Sequence, residues 1–233
     1  MATDYARIYH DRVEEYDALV SAEDHAGNLW PTVRTVCDIA GKAVLEVGVG
    51  TGRLTRVLAR DAGTVFGCDL ARAMLRVAAS HLRREAGDKV SLLVADARAV
   101  PVARESVDMA IAGWVIGHFV DWFETGWREH ADRSIAEMRR ALRPGGVIIL
   151  IESLGTGTTA YVPPTPTHAD YYRWLQHEHG FTLSPIRTDY RFASVADAER
   201  LTRLFFGESV AANVSQRAVR DVPECTGVLW KVV

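Results

Sequence analysis

A doubly wound α/β domain with a mostly parallel sheet is the fold class this sequence predicts. Three observations predict it. Val44-Leu45-Glu46-Val47 is a short apolar run followed by glycines at 48, 50 and 52, and then by Arg53 to Arg60, where Leu54, Val57 and Leu58 recur at helical spacing. Apolar runs and helical stripes then alternate along the chain, the pattern of strands joined by crossover helices. Two of the runs close in acids, Asp69 and Asp96, at the sheet edge where ligands gather in such folds.

The elements follow in order. Tyr5, Ile8, Tyr9, Val13, Tyr16, Leu19 and Val20 form a helical stripe over 5–20. A second helix is expected from Pro31, which suits a first turn, to Ala40, before Gly41. Strands are expected at Val44–Val47, Thr64–Asp69, Val90–Ala95, Val107–Ala112, Val147–Ile151, Ile186–Phe192 and Thr226–Val233. Between them, Met74, Leu75, Ala78 and Leu82 mark a helix from Ala71 to about Glu85. Ser134, Ile135, Met138 and Leu142 mark another from Trp127 to Leu142. It stops at Arg143-Pro144-Gly145-Gly146, where proline and glycine turn the chain into the next strand. Later helices are expected at His168–His179, Val195–Phe206 and Ser209–Val219.

The chain has 233 residues, enough for one sizeable domain with an elaborated cap. Hydrophobic residues make up 48% and charged residues 24%, which suits an ordinary globular core. A net charge of −3 argues against a nucleic-acid partner, for which a basic stripe is expected. No apolar run has the roughly 20 residues of a membrane span. The polar start Met1-Ala2-Thr3-Asp4 is unlike a signal peptide. Cys37, Cys68 and Cys225 are scattered and odd in number, so reduced thiols in a cytoplasmic protein are expected.

The glycine turn decides between nucleotides. A dinucleotide fingerprint needs a third glycine three positions after the second, and Arg53 stands there. The pattern present is Glu-x-Gly-x-Gly-x-Gly. A lone carboxylate ahead of the turn suits a positively charged ligand and repels a pyrophosphate. Asp69 lies about 20 positions beyond Glu46, where a ribose diol is held in such folds. Its bland reading is a helix N-cap.

The stretch 44–55 resembles motif I of class I S-adenosylmethionine-dependent methyltransferases, whose cofactor bears an ammonium and a sulfonium. The likeness extends through Asp69, through Asp96-Ala97, and through Leu142–Val147, in the right order over roughly 43–152. It points to the small-molecule branch similar to ubiquinone and menaquinone methyltransferases. The resemblance implies a Rossmann-like seven-stranded sheet whose last strand is reversed, with S-adenosyl-L-methionine as cofactor. Glu46 would hold the ammonium, Gly48, Gly50 and Gly52 would admit the backbone, and Asp69 would hold the ribose. Asp96 and Ala97 would meet the adenine. Arg53, Leu70, Gly113 and Trp114 complete the expected cofactor contacts. Residues 41–152 would form the cofactor core, 1–40 an N-terminal helical cap, 153–225 a substrate-side lid with strand six, and 226–233 the last strand of a single domain.

Asp108 is expected to be structural. Trp114 sits between glycines beside the expected methyl donor, where a π face near a sulfonium is favourable. An ordinary histidine titrates near neutrality, so His118 is the first candidate base, ahead of His168 and Tyr171. Its bland reading is a packing histidine. Tyr9, Tyr16 or Trp30 could face the substrate. Tyr161, Tyr171, Tyr172, Trp174, Phe205 and Phe206 suggest an apolar or aromatic small-molecule acceptor, with core packing the plainer reading for each. His177 and His179 would point about 200° apart on a helix and cannot share a metal, and no metal motif is present, so no metal is expected. The atom methylated and the oligomeric state stay open. Two other readings remain: a non-methylating enzyme on the same cofactor fold, such as a cyclase or a nicotinamide-dependent oxidoreductase, or a cofactor-binding regulatory module.

Overall fold

The computed structural model describes residues 5–83 and 87–233, with side chains from Ile8 onward in the first segment. β1 (Ala43–Val47) lies between β2 (Thr64–Asp69) and β4 (Val107–Gly113), both parallel to it. β3 (Val90–Val94) extends the sheet past β2, and β5 (Leu142–Thr156) past β4. β9 (Glu224–Val232) runs antiparallel between β5 and β6 (Thr182–Arg187). The seven strands are thus ordered β3-β2-β1-β4-β5-β9-β6, with the reversed last strand that the sequence led us to expect. The chain moves outward from β1 through β2 and β3, then returns to the other side of β1 for β4. That change of direction opens a crevice at the carboxyl ends of β1 and β4.

Strand alternation explains the two layers of core. Leu45, Ala110, Ala112, Ile148 and Leu150 face one side, against Trp127, Ala131, Ile135 and Met138 of α7 (Trp127–Ala141). Val44, Met109, Ile111, Ile149 and Ile151 face the other, against Leu54 and Leu58 of α4 (Arg53–Asp61) and Val33 of α3 (Leu29–Val36). Asp108 ties the sheet's amino end together, accepting from the Ala43 amide at 2.9 Å and from Arg143 at 2.7 Å.

A third core joins the two ends of the chain. Ile8 of α1 (Tyr5–Asp11) and Leu19 of α2 (Val13–Ala22) pack with Ala198, Leu201 and Phe205 of α9 (Val195–Phe206) and Val214 of α10 (Glu208–Arg217). Three further helices complete the description: α5 (Arg72–Leu82), α6 (His118–Trp122) and α8 (Pro166–His177).

Several boundaries differ from the sequence reading. The first stripe is two helices, broken at Arg12, which leaves helical geometry with φ −127° and ψ 38°. α3 begins at Leu29 instead of Pro31, because the Asp24 carboxylate accepts the Asn28 and Leu29 amides. It ends at Val36, where Cys37 turns extended. α8 starts at Pro166, capped by Thr165, whose hydroxyl accepts the His168 amide. The expected strand 186–192 is split. β6 ends at Arg187, and β7 (Tyr190–Arg191) pairs with β8 (Asp221–Val222) in a separate ribbon. The helix end expected near Glu85 and the polar start at 1–4 lie outside the described residues.

Candidate active site

Every acid and glycine of interest sits where a strand ends. Gly48 follows β1, Asp69 closes β2, Asp96 follows β3, and Gly113-Trp114 closes β4. Glu152 lies towards the carboxyl end of β5, opposite Gly227 of β9. Three recesses meet at this edge, and Trp114 and His118 line all of them.

The first recess, of about 360 Å³, is lined by Gly48, Gly50, Asp69, Leu70, Asp96 and Ala97 among others. Asp69 accepts the Gly50 amide at 2.8 Å and the Ala71 amide at 2.8 Å. It therefore steadies the glycine turn and the start of α5 together, and the capping and ligand readings share one carboxylate. Burial raises its pKa, against the pull of those two amides. Asp96 is gripped by Arg98, whose Nε and Nη2 donate to its two oxygens at 2.8 and 2.6 Å. The Arg98 bond holds Asp96 below the usual carboxylate range. Leu70 is 68% exposed at the rim. Gly48 adopts φ +77°, and a Cβ there would run into Val115. Gly48→Ala is therefore expected to abolish ligand binding in this recess or to cost stability, read by calorimetry and thermal unfolding. Gly52 lines none of the recesses; it packs on Ala78 of α5.

The second recess is small, about 120 Å³, and holds the unusual chemistry. Glu46 is 1% exposed, and among the described residues neither carboxylate oxygen has a hydrogen-bond partner. Burial pushes its pKa up to about 8; Thr55 lies close enough to counter part of this but forms no hydrogen bond with it. Arg53 shares the recess. Its Nη1 donates to the Val20 carbonyl at 3.1 Å and to Glu23 at 2.6 Å, while Nη2 is buried without a partner among the described residues. Its guanidinium stacks 4.2 Å from the Trp114 ring centroid. Trp114 holds a left-handed backbone, φ +55°, with its amide bonded to the Ile151 carbonyl at 2.6 Å. Tyr16 reaches over from α2 towards Gly50, where an added Cβ would meet its hydroxyl at 3.4 Å.

The third and largest recess, about 540 Å³, lies beyond Trp114 and His118. Glu152 is 5% exposed in its wall. Its Oε1 accepts the Gly117 amide at 2.9 Å and the Tyr171 hydroxyl at 3.0 Å. Burial carries its pKa up to about 7, against those two hydrogen bonds. His118 is held by the Tyr9 hydroxyl at 2.8 Å and stacks on Trp122 at 5.2 Å. Burial lowers its pKa to about 4, so the ring is neutral. His168 meets Thr165 at 2.8 Å and Asp121 at 3.8 Å. Tyr171 is fully buried and donates to Glu152, so its pKa lies well above the ordinary value. Of the aromatic residues expected around the acceptor, Tyr171, Tyr172, Phe205 and Phe206 line this recess. Trp174 packs into the core against Trp127, Tyr161 is 46% exposed, and Trp30 packs on the sheet face under α3.

Residues 45–150 match the family model described as a methyltransferase domain. The ubiquinone/menaquinone biosynthesis C-methyltransferase UbiE of Burkholderia vietnamiensis is 27% identical over 229 residues, covering 96% of this chain and 83% of that one. Over this core the chain is similar to methyltransferases. It spans 57% of the length of other curated relatives that it matches. A SAM dependent methyltransferase from Aquifex aeolicus shares the fold, with a TM-score of 0.56 at 14% identity over 99% of this chain and 94% of that one. The [4+2]-cyclase SpnF shares it too, with a TM-score of 0.56 at 22% identity over 89% and 80%.

Within this fold the structure gathers Glu46, Gly48, Gly50, Arg53, Asp69, Leu70, Asp96, Ala97, Gly113 and Trp114 around the first two recesses. His118, His168 and Tyr171 line the third. The sequence reading missed Glu152, Asp121, Glu23 and Arg98. Glu152 had a signal, since it is an acid after an apolar run, as Asp69 is.

Proposed function

We propose that the chain binds S-adenosylmethionine across the first two recesses and methylates a small organic acceptor in the third. One observation carries this reading: the orphaned Glu46 carboxylate and the orphaned Arg53 Nη2 share one buried recess beside the glycine turn. A buried carboxyl and a buried guanidinium nitrogen left without partners are costly in an empty protein. An amino-acid zwitterion would satisfy both, with its ammonium on Glu46 and its carboxylate on Arg53. Asp69 would take the ribose hydroxyls with the lone pairs that Gly50 and Ala71 leave free. The adenine would lie beside Asp96 and Ala97, with Arg98 fixing the Asp96 carboxylate.

When bound, the cofactor supplies a methyl group on a positively charged sulfur. The chain's own part is to position, to exclude water and to hold a proton. Alignment of donor and acceptor can contribute about 7–11 kcal/mol. Trp114 and His118 stand at the junction of the recesses and would wall the transfer path. Glu152, with a pKa of about 7, is matched to take a proton from the acceptor near neutral pH. His118, neutral down to about pH 4, is the weaker base; its proposed role is to orient the acceptor. His118→Gln should lower turnover, without the loss of a pH limb near 7. We assign the helices of 1–40 and 153–225 to the lid over this path, and 41–152 to the cofactor core. An apolar body on the acceptor is supported by Phe205, Phe206 and Val210 in the chamber wall. Three buried, unpaired cysteines support a reducing, cytoplasmic setting.

Calorimetric titration with S-adenosylhomocysteine and with NADH tests the reading. Binding of NADH in place of S-adenosylhomocysteine would overturn it. Labelled cofactor that transfers no methyl to any acceptor would leave only the non-methylating readings, a cyclase-like enzyme or a binding module. Asp69→Ala should weaken S-adenosylhomocysteine binding at least about tenfold, or 1.4 kcal/mol. Binding should also depend on pH. Glu46 is protonated below about pH 8 in the free protein and must ionise to meet an ammonium. Affinity is therefore expected to rise with pH up to about 8, by at most about tenfold per unit, and then to level off. Glu46→Gln should flatten that profile, and an unchanged slope would remove Glu46 from the site.

A further inference from the structure

The acceptor chamber is electrically incomplete. Glu152 and Asp121 both line it, and no lysine or arginine does among the described residues. Among the described residues Glu152 accepts from neutral donors: the Gly117 amide and the Tyr171 hydroxyl both use Oε1. Its other oxygen, Oε2, lies against the bare Cα of Gly117, where a Cβ would come within 2.7 Å, and Gly117 lines the same wall. Asp121, on the short helix α6, meets His168 at 3.8 Å. The histidine is itself shifted towards its neutral form by burial. Among the described residues, therefore, neither carboxylate has a permanent cation to answer it when ionised.

The rest of the chamber is suited to a cation on an apolar stem. Trp114, Tyr171 and Tyr172 contribute aromatic walls, the surfaces on which ammonium groups are held. Val162, Pro163, Pro164, Phe205, Phe206 and Val210 form an apolar stretch. The volume of about 540 Å³ is far more than an ammonium head alone requires. An anionic acceptor, such as a phosphate or a carboxylate, would face two acids with no counter-charge.

We propose that this chamber takes a protonated amine carried on an apolar body, held between Glu152 and Asp121, as the acceptor of the methyl group. The proposal rests on the methyl-transfer reading above and names its substrate class. In the reaction, the ammonium gives one proton to the ionised Glu152 and becomes a neutral amine. The nitrogen lone pair forms the new N–C bond while the methyl–sulfur bond breaks, and that bond's electron pair stays on sulfur. The product leaves as the methylated ammonium, and Glu152 returns its proton to solvent.

The test uses the full chain saturated with S-adenosylhomocysteine and three probes of similar size: 2-phenylethylamine, 4-ethylphenol and 3-phenylpropionate. Calorimetry should show the amine binding at least tenfold more tightly than the phenol or the carboxylate. Glu152→Gln and Asp121→Asn should each weaken the amine at least tenfold while leaving S-adenosylhomocysteine affinity unchanged. With labelled cofactor, the label should appear on nitrogen. Equal or tighter binding of the phenol or the carboxylate overturns the proposal, as does binding of none of the three. An amine affinity indifferent to both substitutions also overturns it. Failure to bind S-adenosylhomocysteine at all would instead bring down the cofactor reading beneath it.

Discussion

Glu152→Gln is expected to lower turnover by about 10²–10⁴-fold, the range for loss of a positioned base. The substitution keeps the shape of the side chain and an oxygen for the Gly117 amide and the Tyr171 hydroxyl, so the wall should survive. Only the ability to take a proton is lost. The sign of the pH effect follows from the same group. Its pKa of about 7 means that the base is protonated in acid and free in mild alkali. Turnover should therefore climb with pH through about 7 and then level. In the variant that limb should vanish, while the affinity for S-adenosylhomocysteine stays within about twofold. A variant that keeps both its rate and its pH limb would return the proton-transfer role to His118 or His168.

Replacing Arg53 should have the largest effect on stability. Arg53 is the cationic partner of Glu23, at 2.6 Å, and Glu23 is buried. Burial, helped by the charge of Asp24, raises the pKa of Glu23, and the arginine opposes that rise. Removing one member of a buried pair typically costs about 3–5 kcal/mol, since the other is left uncompensated. Trp114 would also lose the guanidinium stacked on it at 4.2 Å. Thermal unfolding of Arg53→Met should show a midpoint lower by about 6–20 °C for a chain of this size. Adding Glu23→Gln should recover part of that loss, because the stranded charge is then gone. A single variant within about 1 kcal/mol of the parent would show that the pair contributes little. Arg53→Met should also weaken cofactor binding, and the double variant should not restore that part.

What could be read from the sequence was what neighbouring residues decide. The glycine turn after β1, the helix behind it and the acid at the end of β2 all lie within one βαβ unit, so spacing alone exposed them. α9 was read to the residue because Ser194 caps it and Gly207 ends it, and both signals are local. The misread elements depend on distant partners. β7 pairs with β8, about thirty positions away, and the apolar pattern over 186–192 carries no sign of that switch. The break at Arg12 separates two helices that join a core built with α9 from the far end of the chain.

The same division holds at the site. The sequence by itself determined the fold class, the cation-seeking acid before the turn, and the row of acids on the sheet's carboxyl edge. Each follows from alternation, helical spacing or charge within a short window. Only the tertiary structure decided which charges are answered and which are not. Arg53 finds Glu23 thirty residues earlier, Asp96 is held by Arg98, and Glu46 is left alone in its recess. Glu152 became the wall of a chamber only when α6 and α8 closed on it through Gly117 and Tyr171. Burial and partnership set the charge of a carboxyl group, and both come from contacts between segments far apart in the chain.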